Sequence, residues 1–486
     1  GETMGVFQLE SSGMTRYLVE LKPTSIFDIM AMVSLYRPGP IASIPDYIQR
    51  KNDPTKIRYF DPRMKDYMEQ SLGLLVYQED VLLTAINIAG YSWLEADKLR
   101  KAMGKKIPAE MAKEKDHFLS GAVENGLSKE KAEDLWALIE PFAAYGFPKA
   151  HAASYAMTAY QTAYMKANFT VEFMAALMTA ESGDTDKIAA AIEECKRLEI
   201  VVLPPDVNKS FVGFSLEELK ELSQEELSRQ LTDVGGRLAT KKGIRFGLSA
   251  IKNVGVLAIE SILKARENAR LPDGQGEFSS LADLCSRVDN RLVNRKTLES
   301  LIKAGALDSL GLRAAQLLIL DQVLEENHKS AKSKISGQTS LFEEELSSTE
   351  ISLPDVEELP LEQLLIFEKE LLGFYLHEPP FLKKLDAITQ YVQCKISDLG
   401  DEHVGQRLIC GGVITAAKRV MTKKTASEMA FVRISDGISD IEAVVFPKIF
   451  AESKGFLEKD QVVIVVGRID KREEEISLVV DKINLF

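Results

Sequence analysis

Lys149, His151 and Tyr155 fall within FPKAHAASYA, directly after Gly146 and Pro148. Gly146 and Pro148 stop the preceding segment, and Pro148 suits the first position of a new helix. The small residues Ala152, Ala153, Ala156, Ala159 and Ala163 give that helix strong propensity and allow close approach of a partner. A lysine and a histidine in its first turn run against helix electrostatics, where free N–H groups favour anions and a cation costs about 0.3–1 kcal/mol. An anion held between them reverses that sign. The chemistry these residues can do is therefore phosphate binding, with Tyr155 on the same face as His151. The plain alternative is a surface helix that happens to begin with lysine.

A second group of cations, Arg100, Lys101, Lys105 and Lys106, lies in RKAMGKK. Ser92 to Glu95 forms a capping box that opens an amphipathic helix, and Gly104 closes it, so these cations crowd the last turn and the loop beyond. Helix electrostatics favour cations there in any case. Four of them in seven residues of an acidic chain would also make a phosphate clamp. Arg37 precedes Pro38-Gly39-Pro40 and is held on a rigid turn. Asp184 and Asp186 form an Asp-x-Asp pair, but they stand where a loop meets a helix and read as an N-cap and not as metal ligands. No catalytic carboxylate pair and no metal site is expected in this chain.

Three further stretches point to nucleic acid or to a partner. Phe246–Glu267 has the form of a helix-hairpin-helix, in which Asn253, Val254 and Gly255 make the turn, the next helix offers N–H groups to a backbone phosphate, and Lys252 would flank that phosphate. A second unit is expected at Asn294–Leu310, with Asn294 capping a helix and Gly305 ending it. Gln338, Ser340, Leu341 and Phe342 lie in GQTSLFEEE, where two apolar side chains have no local core to enter and so suit a partner's pocket.

The elements that must position these residues change character along the chain. Residues 1 to about 210 are dense in helical periodicity, and LPPDVN at Leu203–Asn208 reads as a linker into a smaller domain. Between about His328 and Leu359 the composition turns to Ser, Lys, Glu and Thr without apolar periodicity, as in a flexible tether. Joints near Leu203 and His328 would let the parts move independently. From about Gly405 the period becomes two, and five strands with a short helix near Pro447–Ser453 suggest an OB-fold barrel. Its one basic loop is expected at Lys418, Arg419, Lys423 and Lys424, and its few aromatics favour backbone contact over base stacking.

With 486 residues there is room for roughly three domains. The net charge of -13 excludes uniform wrapping by nucleic acid, so any contact must come from local basic patches. Cys195, Cys285, Cys394 and Cys410 fit no metal or disulfide spacing and read as reduced thiols. No run is long and apolar enough to span a membrane and no signal peptide is seen, so the expected location is the cytoplasm. The chain opens on GETMGVFQLES without an initiator methionine, which reads as the middle of a domain and hence as a fragment.

GVFQLES, LYRPGP, LLVYQEDV, RKAMGKK, YGFPKAHAASYA and LPPDVN together resemble the alpha subunits of bacterial DNA polymerase III, C-family replicative polymerases, in order and in spacing. The resemblance implies a mainly α multidomain chain followed by a small β-barrel. It assigns 1–205 to the fingers, 206–327 to the remaining fingers and tandem helix-hairpin-helix region, 328–360 to the tether with its clamp-binding motif, 361–404 to a connecting segment and 405–486 to the OB domain. It further implies that Arg100 and Lys101 meet the triphosphate of an incoming dNTP, with Lys105 close by, and that Tyr145, Lys149 and His151 line the nucleotide pocket. QTSLF would bind the sliding clamp, the beta subunit. Primer-template DNA, single-stranded DNA and other replisome subunits are the remaining implied partners, with no membrane.

In that family the Mg²⁺-binding aspartates belong to a palm domain that precedes these motifs, so this chain alone is expected to be inactive in primer extension. Pro148 and Ala150 stand where the family usually shows Asn and Ser, Lys101 replaces a common Arg, and His377-Glu378-Pro379 replaces Gly-His-Pro. An error-prone relative of the same family is therefore one alternative. A non-catalytic DNA-binding scaffold is the other.

Overall fold

A computed structural model describes the chain except residues 106–107, 144–145, 220–240, 269–275, 337–350, 378–383, 386, 423–426, 438 and 473–474. It divides into two compact units, Gly1–Asp355 and Val356–Phe486. Among the described residues the first is helical apart from one small sheet, and the second is built on a closed five-stranded barrel.

Two hydrophobic cores organise the first half of the helical unit. One gathers α1 (Ser12–Leu21), α2 (Ile26–Leu35) and α3 (Ile44–Asn52) with α9 (Lys149–Asn168). From Asp28 onward every residue of α2 is buried, as befits a helix that is apolar nearly all round. Its neighbour α9 offers Ala152, Ala156 and Ala159, each fully buried, so the two helices pack with nothing larger than a methyl on that side. The other core gathers α5 (Gln78–Ala89), α6 (Trp93–Lys105), α7 (Pro108–Glu124) and α8 (Lys129–Ala143) around Phe118 and Trp136. Val76 and Tyr77 belong to the first core, whereas Val81 and Ala85 belong to the second, so the start of α5 lies on the seam between them.

Helix ends follow local chemistry. Ser92 and Glu95 form the capping box expected before α6, although that helix runs one residue past Gly104. Pro148 is the N-cap of α9, one position earlier than the sequence suggested. Asp184 caps α11 (Thr185–Arg197) by accepting from the N–H of Asp186 and of Lys187. The N-terminal segment is tied to this layer: buried Lys166 donates to Met4 O at 2.9 Å and to Glu194 Oε1 at 2.7 Å.

Leu203–Asn208 is not a slack linker. β1 (Val202–Leu203) pairs in parallel with β3 (Lys242–Arg245), which pairs antiparallel with β2 (Ser215–Glu218). Arg245 clasps Glu217 through two bonds of 2.6 and 2.7 Å, and Val207 N–H donates to Ala306 O. Nor does the chain leave regular structure at His328, where the composition changes. A helix runs from Arg313 to Ser336, through His328, because a polar stretch can still extend a helix whose early turns bury Ile319, Leu320 and Val323.

In the second unit the helix Leu361–Leu372 buries Glu368 completely. That carboxylate takes His377 Nδ1 at 2.7 Å and the N–H of Leu376 and His377. The barrel follows: β4 (Arg407–Met421), β5 (Glu428–Ser435), β6 (Asp440–Val445), β7 (Val462–Arg472) and β8 (Glu475–Leu485), closed in the order β4-β5-β6-β8-β7. β6 and β8 pair in parallel, and the helix Pro447–Ser453 puts Phe450 into the core. Gly412 permits the closest approach in the barrel: a Cβ there would lie 2.2 Å from Ser435 O.

Candidate nucleotide and nucleic-acid site

The loop before α9 is fixed by the first turn of α5. Gln78 uses its backbone N–H on Phe147 O (3.0 Å) and its side-chain amide on Gly146 O (2.8 Å). Glu79 Oε2 accepts from the N–H of Lys149 at 2.8 Å. The anion anticipated at this helix start is thus in part the protein's own carboxylate, which explains why Lys149 is tolerated there. Ala152 N–H already reaches Pro148 O, so the N–H groups of Ala150 and His151 are left without an acceptor among the described residues.

Cations and rings cluster near this helix start. The Arg37 guanidinium lies 3.6 Å from the centre of the Phe147 ring, and Lys149 Nζ lies 5.4 Å from that of Tyr77. His151 packs edge-on to Phe147 at 4.9 Å and against Tyr155 at 4.1 Å, and Tyr155 meets Phe7 at 5.2 Å. Burial lowers the Arg37 pKa from its ordinary value, opposed by the Tyr155 phenol. The result is a half-buried basic and aromatic corner with open N–H groups, an arrangement that suits a phosphate with a planar group beside it.

Asp80 supports this corner from beneath. It is 2% exposed and accepts from Val76 and Tyr77 N–H, both at 2.9 Å. Burial pushes its carboxyl up to about 6, offset only partly by those donors and by the Lys149 charge. Its contribution to stability is therefore fully present below its ordinary value of 3.8 and is lost as pH rises through about 6. Asp80→Asn should remove that loss: its stability relative to the parent should rise by up to about 3 kcal/mol between about pH 4 and pH 7. Urea denaturation across this range checks it, and a pH-independent difference would refute it.

The other predicted cations are placed differently. Arg100 and Lys101 both bind Asp97 on their own helix, at 2.8 and 2.7 Å. Those bonds, Lys101 first, hold Asp97 below the usual carboxylate range. The clamp expected from RKAMGKK is therefore partly neutralised from within. Lys105 is the last residue of α6, and Lys106 and Tyr145 lie outside the described residues. Arg100 and Lys101 sit on the second core and Lys149 and His151 on the first, with α5 linking the two.

At the hairpin, the helix Val256–Asn268 forms as expected, but the segment before it is only a three-residue turn, Leu248–Ala250. Val254 is buried, and its N–H is spent on Ile251 O, so it is not open to a phosphate. Among the described residues, Gly255, Val256 and Leu257 N–H have no acceptor. Asn253 takes the left-handed conformation, with φ 69°, while a Cβ on Gly255 would meet nothing within 4 Å. Lys252 is exposed beside this turn. The second unit follows its prediction, with Asn294 capping the helix Arg295–Lys303 and Gly305 at φ 79°.

Lys418 and Arg419 are not in a loop. They are exposed on the far end of β4, paired with Phe431 and Ala430 of β5. Adjacent strand residues point to opposite faces, so one nucleic-acid face can use only one of them. Arg419 reaches to 6.0 Å from the Phe450 ring. Lys423 and Lys424, and all of Gln338, Ser340, Leu341 and Phe342, lie outside the described residues.

The residues that sequence reasoning missed are Gln78 and Glu79, because a Gln-Glu-Asp run at a helix start looks like ordinary dipole compensation. Their signal was the presence of VYQED among the motifs that carry the family resemblance. As for metal, the Asp184 carboxylate is spent on its own helix, so it and Asp186 do not fit a two-metal site. Among the described residues no cluster of three His, Cys, Asp or Glu could hold an ion. Nor, among those residues, is any helix long and apolar enough to cross a membrane.

Three segments of the chain match known protein families. Residues 1–126 match the bacterial DNA polymerase III alpha subunit finger domain, 199–317 a helix-hairpin-helix motif and 413–486 an OB-fold nucleic acid binding domain. The DNA polymerase III subunit alpha of Thermus aquaticus is 39% identical over 98% of this chain and 37% of its own length. Those of Bacillus subtilis and Escherichia coli are each 36% identical, over 100% and 96% of this chain and 41% and 39% of their own lengths. The chain thus spans about two fifths of these relatives. With three modules in order and a match along nearly its whole length, the chain belongs to the family of bacterial DNA polymerase III alpha subunits.

Proposed function

We propose that this chain is the substrate-holding part of a replicative DNA-directed DNA polymerase. The start of α9 receives the triphosphate of an incoming dNTP, the hairpins grip the backbone of primer-template DNA, and the barrel contacts a single strand. The observation that supports this most is the start of α9, where the N–H groups of Ala150 and His151 have no acceptor among the described residues, Lys149 is the first helical residue, and Arg37 lies over the adjoining Phe147 ring. Helix α9 also carries no acidic residue on a chain of net charge -13, and its outer face exposes Tyr160 and Tyr164. Mg²⁺ is the expected cofactor of the parent enzyme, supplying the metal for primer attack on the alpha phosphate. That step is assigned to no residue of this chain, so the chain alone is expected not to extend a primer. Gln338–Phe342 is the proposed attachment to the sliding clamp, and other replisome subunits are further proposed partners. The proposed location is the cytoplasm.

The DNA-holding role is testable on the chain itself. Gly255→Asp puts a favourable capping residue before the helix Val256–Asn268 and so should keep or raise the melting temperature. The same carboxylate would stand where a phosphate must sit, so duplex affinity at low salt should fall by about tenfold. Binding by the parent should also fall steeply with salt and ignore sequence. Equal affinity of Gly255→Asp and parent, in fluorescence anisotropy, would remove the hairpin from the DNA surface.

A further inference from the structure

Between the two cores of the helical unit lies a cavity of about 580 Å³, within the range typical of small-molecule sites. Its interior is mostly apolar, formed by Tyr59, Phe60, Met64 and Met68 with Leu135 of α8. Its polar side carries Arg50 and Arg58, together with Ser43 and Asp46.

The two arginines are fixed, and each is only half used. Arg50 donates from Nη1 to Leu72 O at 2.8 Å and to Arg58 O at 3.2 Å. Arg58 donates from its own Nη1 to Thr55 O and Ile57 O. Among the described residues, Nε and Nη2 of both therefore have no acceptor, and neither guanidinium forms an ion pair. Burial pulls the Arg50 pKa down, Asp46 opposes this, and Arg58 adds to it, so the two charges feel one another. The opening also depends on a glycine. Gly73, at φ +75°, lines the cavity, and a Cβ there would lie 2.4 Å from Arg58 O and 3.1 Å from Arg50 Nη1.

Two neighbouring guanidinium edges above an apolar interior call for a ligand that is anionic at one end and greasy at the other. We propose that this cavity binds a small amphipathic organic anion. Its aromatic or aliphatic body lies against Tyr59, Phe60 and Met64, and a single carboxylate or phosphate head lies on Arg50 and Arg58. This site is separate from the start of α9, and the inference stands whether or not that corner binds a nucleotide.

The test is isothermal titration of the 486-residue chain with naphthyl phosphate, naphthylacetate and the neutral naphthylethanol. At least one of the anions should bind with a submillimolar Kd, and the alcohol at least about tenfold more weakly. Tighter binding of the phosphate would identify a phosphorylated ligand, and tighter binding of the acetate a carboxylic acid. Arg58→Gln should weaken the anions by about tenfold and leave the alcohol unchanged. Leu138 lines the cavity and is 54% exposed, so Leu138→Glu can be made without disturbing a core. It should weaken the anions selectively by placing a negative charge at the rim. No binding by either anion, equal binding of the alcohol, or anion binding unchanged in both variants would overturn the proposal.

Discussion

Lys149→Ala, made in a full-length alpha subunit carrying this sequence, should raise the KM for all four dNTPs by roughly 10- to 150-fold. This is the range of one charge-assisted bond to phosphate, about 1.5–3 kcal/mol. Phosphates carry no base identity, so the rise should be uniform across the four. Removing the side chain should cost the fold little. Among the described residues Lys149 Nζ forms no ion pair, its ring contact with Tyr77 is 5.4 Å long, and the Glu79 bond is made by the backbone N–H, which alanine keeps. A base-selective change, or an unchanged KM, would count against a phosphate contact. Steady-state single-nucleotide incorporation on a primed template supplies both readings.

Leu341→Ala combined with Phe342→Ala should abolish clamp-dependent long products and leave single-nucleotide incorporation intact. A short peptide with two apolar anchors and an orienting Gln338 binds a pocket at about micromolar Kd, roughly -8 kcal/mol. Once the hairpins hold DNA threaded through the same ring, the second contact becomes intramolecular and overall binding rises by roughly 10²-fold or more. Losing the peptide forfeits that whole factor, which is why the effect on product length should far exceed the peptide's own affinity. The sequence places the motif between two described parts, the helix ending at Ser336 and the start of the second unit at Val356. Clamp binding undiminished in the double variant would move the contact elsewhere.

The sequence made the start of α9 legible because Lys149 and His151 violate a local rule, and local rules are what a single sequence reports. What satisfied the rule was not legible. Glu79 lies 70 residues upstream in the chain, and nothing in its own neighbourhood distinguishes it from an ordinary first-turn acid. At Arg100 and Lys101 the density of cations was legible, but not their pairing with Asp97, one helical turn earlier. The barrel was readable strand by strand because its period of two persists through five segments. Strand ends were not, since β4 carries Lys418 and Arg419 well past the last buried position, Ile414, and so converts an expected loop into paired strand. The change of composition at His328 did not mark the end of a helix for a similar reason. Composition marks where a core stops, whereas a helix such as Arg313–Ser336 can outrun the core that nucleates it.

The central claim is that a triphosphate sits between the first turn of α9 and the cations around it. Photocrosslinking tests this most directly, using a dNTP with an arylazide on its gamma phosphate, bound to the full-length subunit with primer-template DNA, followed by peptide mapping. Label is predicted in the peptide spanning Gly146–Lys166, and it should fall sharply in Lys149→Ala. Label confined to peptides outside both α9 and the Trp93–Lys105 helix, and unaffected by Lys149→Ala, would contradict the account.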